Sequence, residues 1–167
     1  MTFLLSRLFA GRHQNNELRQ RVMAMHGRIV DEVLEWTRED RLGLKDDFSL
    51  RFEVMILAVA VVLVALKDEQ DLLQGLWDMT FEGFEESLRQ RGVNDIRIGA
   101  RMRVIIHNAM GRCRAYMGAM KAADEGALRQ SIVRNVFNGV ESQQETVEIL
   151  LSSVLQLPQR VLDDNYA

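Results

Sequence analysis

Apolar residues recur three or four positions apart along most of this chain, the spacing that lines one face of an α-helix. Between positions 16 and 41, Leu18, Val22, Met25, Ile29, Val33 and Trp36 mark one long amphipathic helix. The run Leu42-Gly43-Leu44-Lys45-Asp46-Asp47 breaks that pattern, and Asp46 or Asp47 is placed to cap the next helix. That helix contains Val54 to Leu66, VMILAVAVVLVAL, apolar at every position. As a helix this run reaches roughly 20 Å, short of a hydrocarbon core about 30 Å thick. Arg51 and Glu53 on one side, and Lys67, Asp68 and Glu69 on the other, prevent its extension. A helix buried nearly all round is predicted.

The helical period continues downstream. A third helix is expected from a cap at Asp68 to Arg91, with Leu73, Leu76, Trp77, Phe81, Phe84 and Leu88 inward and Gly92 as a left-handed stop. Val93 to Ile98 (VNDIRI) reads as a short connection, followed by a fourth helix from about Ala100 to Ala122. Asp124 is the cap of a fifth, ending at Asn138-Gly139, and a sixth is expected over 142–156. Pro158 is expected to close the helical run. Strand-like alternation is not sustained anywhere, and the short connections favour antiparallel neighbours. The expected fold is therefore all-α: a single-domain bundle of about six helices with a central helix near residues 100–122. An arm at 1–14, a helical domain at 15–157 and a tail at 158–167 complete the division.

Composition narrows the chemistry. One cysteine, Cys113, among 167 residues excludes an internal disulfide framework and a multi-cysteine zinc site, and agrees with a reducing compartment. His13, His26 and His107 are not at the spacing of a helical metal pair, no Glu-x-x-His occurs, and the glycines form no phosphate loop. Cys113 lies between Arg112 and Arg114, which would depress a thiol pKa, but its position in an apolar stripe predicts a buried, inert thiol. No catalysis, metal or cofactor is expected. The N-terminal MTFLLSRLFAGRH lacks a basic stretch ahead of its apolar residues, so a secretory signal is not expected. Residues 3–12 read either as a peripheral anchor on an anionic membrane or as an arm frayed or docked on the protein.

Charge is more informative than its net value of −3. Lys67 to Glu86 holds seven acids against Lys67 alone, and Arg89 to Arg114 holds seven arginines against Asp95 alone. In the third helix Asp78, Glu82 and Glu85 share one face with Asp71, opposite the aromatics. That face is either a docking stripe for a basic partner or a solvated face answered by the next helix's arginines. In the fourth helix Met102, Met110, Met117 and Met120 join Ile105, Ile106, Cys113 and Tyr116 in one apolar stripe edged by Arg101, Arg103, Arg112 and Arg114. The methionines suit either an adaptable surface for an apolar client or ordinary core filling. Gly111, Ala115, Gly118 and Ala122 on the back predict close approach of another backbone, and hence a helix packed on both sides. Arginine outnumbers lysine by 18 to 3. Because arginine suits phosphate recognition, segment 89–114 is suited to ribosomal RNA or anionic lipid, and Arg97, Arg101, Arg103 and Arg112 carry an alternative reading as a ribosome- or RNA-associated helical adaptor. Aromatic residues do not interleave with it, which weakens that alternative.

Several segments, in order, resemble the ubiquinol–cytochrome c chaperone family. They are Leu42-Gly43-Leu44 through Arg51-Phe52-Glu53; the aliphatic helix; Leu76-Trp77 with Phe81; and Leu88-Arg89-Gln90-Arg91-Gly92-Val93-Asn94-Asp95-Ile96-Arg97-Ile98-Gly99-Ala100-Arg101-Met102. Gly111-Arg112 with Ala115-Tyr116, and Leu128 through Arg134-Asn135-Val136-Phe137, complete the series across roughly 40–139. The chain departs from the family pattern where a proline is absent after Gly43, where Ala58 or Ala60 replaces a histidine, and where Met117 replaces an acid. The resemblance implies a non-enzymatic assembly factor for the cytochrome bc complex, similar to bacterial members. It implies newly made cytochrome b as client, a small partner protein, and contact with the ribosome. A cytoplasmic location is expected on the same ground, peripheral on the inner face of the cytoplasmic membrane. Asp78, Glu82, Glu85, Arg97, Arg101, Arg103, Arg112, Arg114, Met102, Met110 and Met117 are the candidate partner- or client-binding residues.

Overall fold

The computed structural model describes the backbone of residues 2–140 and 143–162, with side chains from residue 16 onward in those ranges. Among the described residues there are seven helices and no strand: α1 (Thr2–Trp36), α2 (Glu39–Leu42), α3 (Phe48–Leu66), α4 (Gln70–Gln90), α5 (Asp95–Lys121), α6 (Glu125–Asn135) and α7 (Gln144–Leu162). The helix expected to run from 16 to 41 stops instead at Trp36, and a single turn, α2, comes next. The chain bends at Arg38, whose backbone is extended, and this lets Leu42 enter the core at 2% exposure. α1 continues across position 14 without a break. The membrane contact expected of residues 3–12 rests on side chains outside the described residues.

α3 is the enclosed helix. Its residues from Val54 to Leu63 are all buried, as its unbroken apolar run predicts. The helices α1, α4, α5, α6 and α7 touch one another in that cyclic order, and four of them also pack on α3. A ring of amphipathic helices around an apolar one thus satisfies both patterns at once. Asp47 caps α3 by accepting from the Leu50 N–H at 3.0 Å, and Asp124 caps α6 through the Ala127 N–H at 2.9 Å. Gly92, at φ +75°, ends α4 in a Schellman turn: Val93 N–H donates to Leu88 C=O at 3.1 Å and Gly92 N–H to Arg89 C=O at 2.8 Å.

Other boundaries differ from expectation too, and α6 stops at Asn135, short of Asn138-Gly139. α4 begins at Gln70 without a side-chain cap, so Asp68 does not serve as one. α5 begins at Asp95 rather than near 100, because Asn94 accepts from the Ile96 N–H at 2.9 Å and Ile98 reaches the core. Pro158 does not end α7 but lies inside it. A proline within a helix costs about 3 kcal/mol. Leu157 and Val161, at 0% and 2% exposure, continue the buried stripe beyond it and offset that cost. Two arginines supply further bonds: Arg160 donates to Ser153 C=O at 2.8 Å, and Arg28 of α1 to Val161 C=O at 2.9 Å.

α5 packs along α3 on one side only. Its expected close approach at Gly111 and Gly118 is absent, since a Cβ at either would meet nothing within 4 Å. The tight contact occurs at Gly75 instead, where a Cβ on α4 would fall 2.8 Å from Val22 Cγ2 on α1.

Candidate functional site

The aromatic face of α4 has more apolar surface than α3 can cover. Phe81, Phe84 and Leu88 are buried, and Phe84 meets Phe52 of α3 with ring centroids 5.4 Å apart. Leu73 and Trp77, one turn apart near the start of α4, remain half-buried. Beside them α5 brings Met117, also half-buried, and the last turn of α3 brings Leu63 and Val64. These side chains floor an open groove of about 710 Å³ between α3, α4 and α5. Lys67 and Lys121 stand at its mouth. Neither has an ion-pair partner among the described residues. Lys67 takes φ +49°, uncommon for a residue with a Cβ, so the turn that ends α3 holds this lysine in a strained backbone. The groove offers an apolar floor with Lys67, Lys121 and Asp68 among the charged residues that line it.

The sequence candidates separate into four groups. Asp78, Glu82 and Glu85 lie along the outer side of α4; Asp78 accepts from Gln74 at 2.7 Å, Glu85 pairs with Arg89, and Glu82 and Asp78 are exposed. The arginines of α5 do not answer this stripe, so it is a solvated face next to the groove. Arg97, Arg101, Arg103 and Arg114 are exposed and form no ion pair among the described residues.

Arg112 forms a third group by itself. It ion-pairs with Glu53 of α3 and stacks over the Phe52 ring at 5.4 Å. The Glu53 side chain is only 9% exposed. Burial pushes its carboxyl above the ordinary value, and the Arg112 hydrogen bond and charge offset only part of that rise. The charged members of two resembling segments therefore clamp α3 to α5. Tyr116, buried in the same layer, accepts from Asn135 of α6 at 2.9 Å. Of the methionines, Met102 is core at 8% exposure, Met117 floors the groove, and Met110 is half exposed at 51%. The single apolar stripe thus divides between core and surface.

Cys113 is buried, contacts Met117 sulfur at 3.5 Å, and its thiol is pushed up to about 11 by burial, which makes it inert at neutral pH. Sequence reasoning missed a second groove, of about 660 Å³, between α1, α2 and α7. Ile149 and Arg160 line it, and Arg160 pairs with Glu32 at 3.2 Å and stacks over Trp36 at 5.9 Å. Only the helical period of α7 past Pro158 could have signalled it. Among the described residues no cluster of His, Cys, Asp and Glu could hold a metal.

A family model described as ubiquinol–cytochrome C chaperone matches residues 40–159. The fold is similar to the crystal structure of the Cbp3 homolog from Brucella abortus, at 24% identity and a TM-score of 0.76. That similarity covers 97% of this chain and 90% of the other. No curated protein matches in sequence.

Proposed function

Because the chain belongs to the ubiquinol–cytochrome c chaperone family, we propose that it is a non-catalytic assembly chaperone whose client is newly made cytochrome b, received in the groove between α3, α4 and α5. The observation that carries the site assignment is the half-buried cluster of Leu73, Trp77 and Met117, which gives the groove an open apolar floor. An apolar side chain moved from water onto such a floor gains about 1.5–3 kcal/mol when fully covered. Association costs an estimated 4–15 kcal/mol, so a few such contacts hold a client reversibly. Reversibility is what an assembly factor requires.

The small partner protein and the ribosome belong to the same reading as companions of the client step. Exposed Arg97 and Arg101 are available for them. Two experiments test the proposal. Deleting the gene should lower assembled bc complex; unchanged levels refute the role. A photo-cross-linker at Trp77 should capture cytochrome b during synthesis, whereas one at Ile149, in the other groove, should not. Capture from Ile149 alone would move the site while leaving the role intact.

A further inference from the structure

From Ile96 to Lys121 the chain contains no aspartate and no glutamate. This stretch is α5 almost entire, and one side of it faces water. Arg97, Arg103, Arg114 and Lys121 lie on that side, all exposed and none in an ion pair among the described residues. Three large apolar residues share it: Ile96 at 88% exposure, Val104 at 60% and Met110 at 51%. At about 100° per residue these seven fall within an arc of about 140°. No side chain rises between them at Gly111 or Gly118, where a Cβ would meet only open space.

We propose that this outward face of α5 docks on an anionic lipid bilayer. Cations interleaved with exposed aliphatic side chains on one helix face form the pattern of an interfacial helix, with the arginine stems lying along the apolar surface and their heads at the phosphates. An RNA partner suits the face less well: no Phe, Tyr or Trp lies on the arc, exposed His107 offers one small ring there, and Ile96, Val104 and Met110 offer nothing to a phosphate backbone. The acids of α4 occur one step round the ring of helices. Their repulsion from anionic lipid turns the molecule so that α5, and not α4, meets the membrane. The inference does not depend on the identity of the client, since binding to bare lipid involves none.

Co-sedimentation of the full chain with vesicles tests it. Vesicles of phosphatidylglycerol mixed with phosphatidylcholine should bind the protein, and pure phosphatidylcholine vesicles should not. Each cation near an anionic surface contributes about a fivefold factor in partition, so Arg103→Gln with Arg114→Gln should weaken binding about 25-fold. Val104→Ser with Met110→Ser should remove the binding that survives high salt. All four positions are exposed, so the melting temperature of each variant should stay at the wild-type value and exclude unfolding as the cause. Equal binding to neutral and anionic vesicles overturns the proposal, as does full binding by the double arginine variant. Complete loss on removing residues 1–14 alone also overturns it, by assigning the contact to the N-terminal arm. Retention on immobilised RNA without any vesicle binding would overturn it in favour of a nucleic-acid partner.

Discussion

Removing the Arg112 side chain strands a carboxylate inside the protein, and the consequence can be worked through. The Glu53 side chain is 9% exposed and that of Arg112 27%. Breaking a buried pair by deleting one partner costs about 3–5 kcal/mol. Water reaches part of Arg112, so the lower end applies: Arg112→Met should lose about 3 kcal/mol at neutral pH. For a chain of this length that corresponds to a melting temperature lower by roughly 6–12 °C. The loss should depend on pH. With Arg112 gone, the hydrogen bond and charge that hold the Glu53 carboxyl down are gone, and burial alone pushes it up. A folded-state pKa above the unfolded value means the folded protein keeps a proton that the unfolded chain has released. Stability of the variant must then fall as pH rises from the ordinary carboxylate value of about 4.3, levelling off above the folded pKa. Urea unfolding followed by circular dichroism between pH 4.5 and 8 measures this directly. Arg112→Met should approach the wild type at the acid end and diverge toward neutral. Adding Glu53→Met should recover most of the loss, because the stranded charge is then absent. A deficit constant across that range, or a double variant no better than Arg112→Met, would refute the assignment of Glu53 and Arg112 as a buried clamp.

Single contacts elsewhere set further expectations. Gly75→Ala places a methyl 2.8 Å from Val22 Cγ2. Overpacking of about 1–3 kcal/mol outweighs the roughly 1 kcal/mol of helix propensity gained, so chemical denaturation should show a net loss. Gly118→Ala meets nothing and should stabilise by about 0.5–1 kcal/mol in the same assay. The Cys113 thiol, pushed up to about 11 and buried, should resist a thiol-reactive dye at pH 8 and react stoichiometrically once urea unfolds the chain. Pro158→Ala restores an N–H and removes a ring clash inside α7, so thermal unfolding should shift upward, reflecting a gain of up to about 3 kcal/mol.

Much of the fold was legible because it depends on local rules. The unbroken apolar run of α3 demanded enclosure, and the caps at Asp47 and Asp124 and the left-handed Gly92 arise from backbone chemistry within a few residues. The inert thiol of Cys113 was implied by its place in a helical stripe. The groove was only half legible. Met117 was singled out, but its stripe-mate Met102 went to the core and Met110 to the surface, because helical period defines a face and not its depth. Trp77 read as core, and the groove left it half-buried.

Which elements touch was decided by packing alone. A glycine in a helix permits close approach without specifying it: Gly111 and Gly118 remained open while Gly75, unremarkable in sequence, took the tight contact with Val22. Charge behaved the same way. The acid-rich and arginine-rich segments are adjacent in sequence, yet neighbouring helices turned their charged faces to different sides of the ring, and a largely buried pair joins Glu53 and Arg112 across 59 positions. Periodicity and capping act within one turn of helix, so the order of residues specifies them directly. The pairing of Glu53 with Arg112, the continuation of α7 through Pro158 and the open floor at Trp77 depend on how distant helices share one enclosed volume, and that is settled only when all of them are in place.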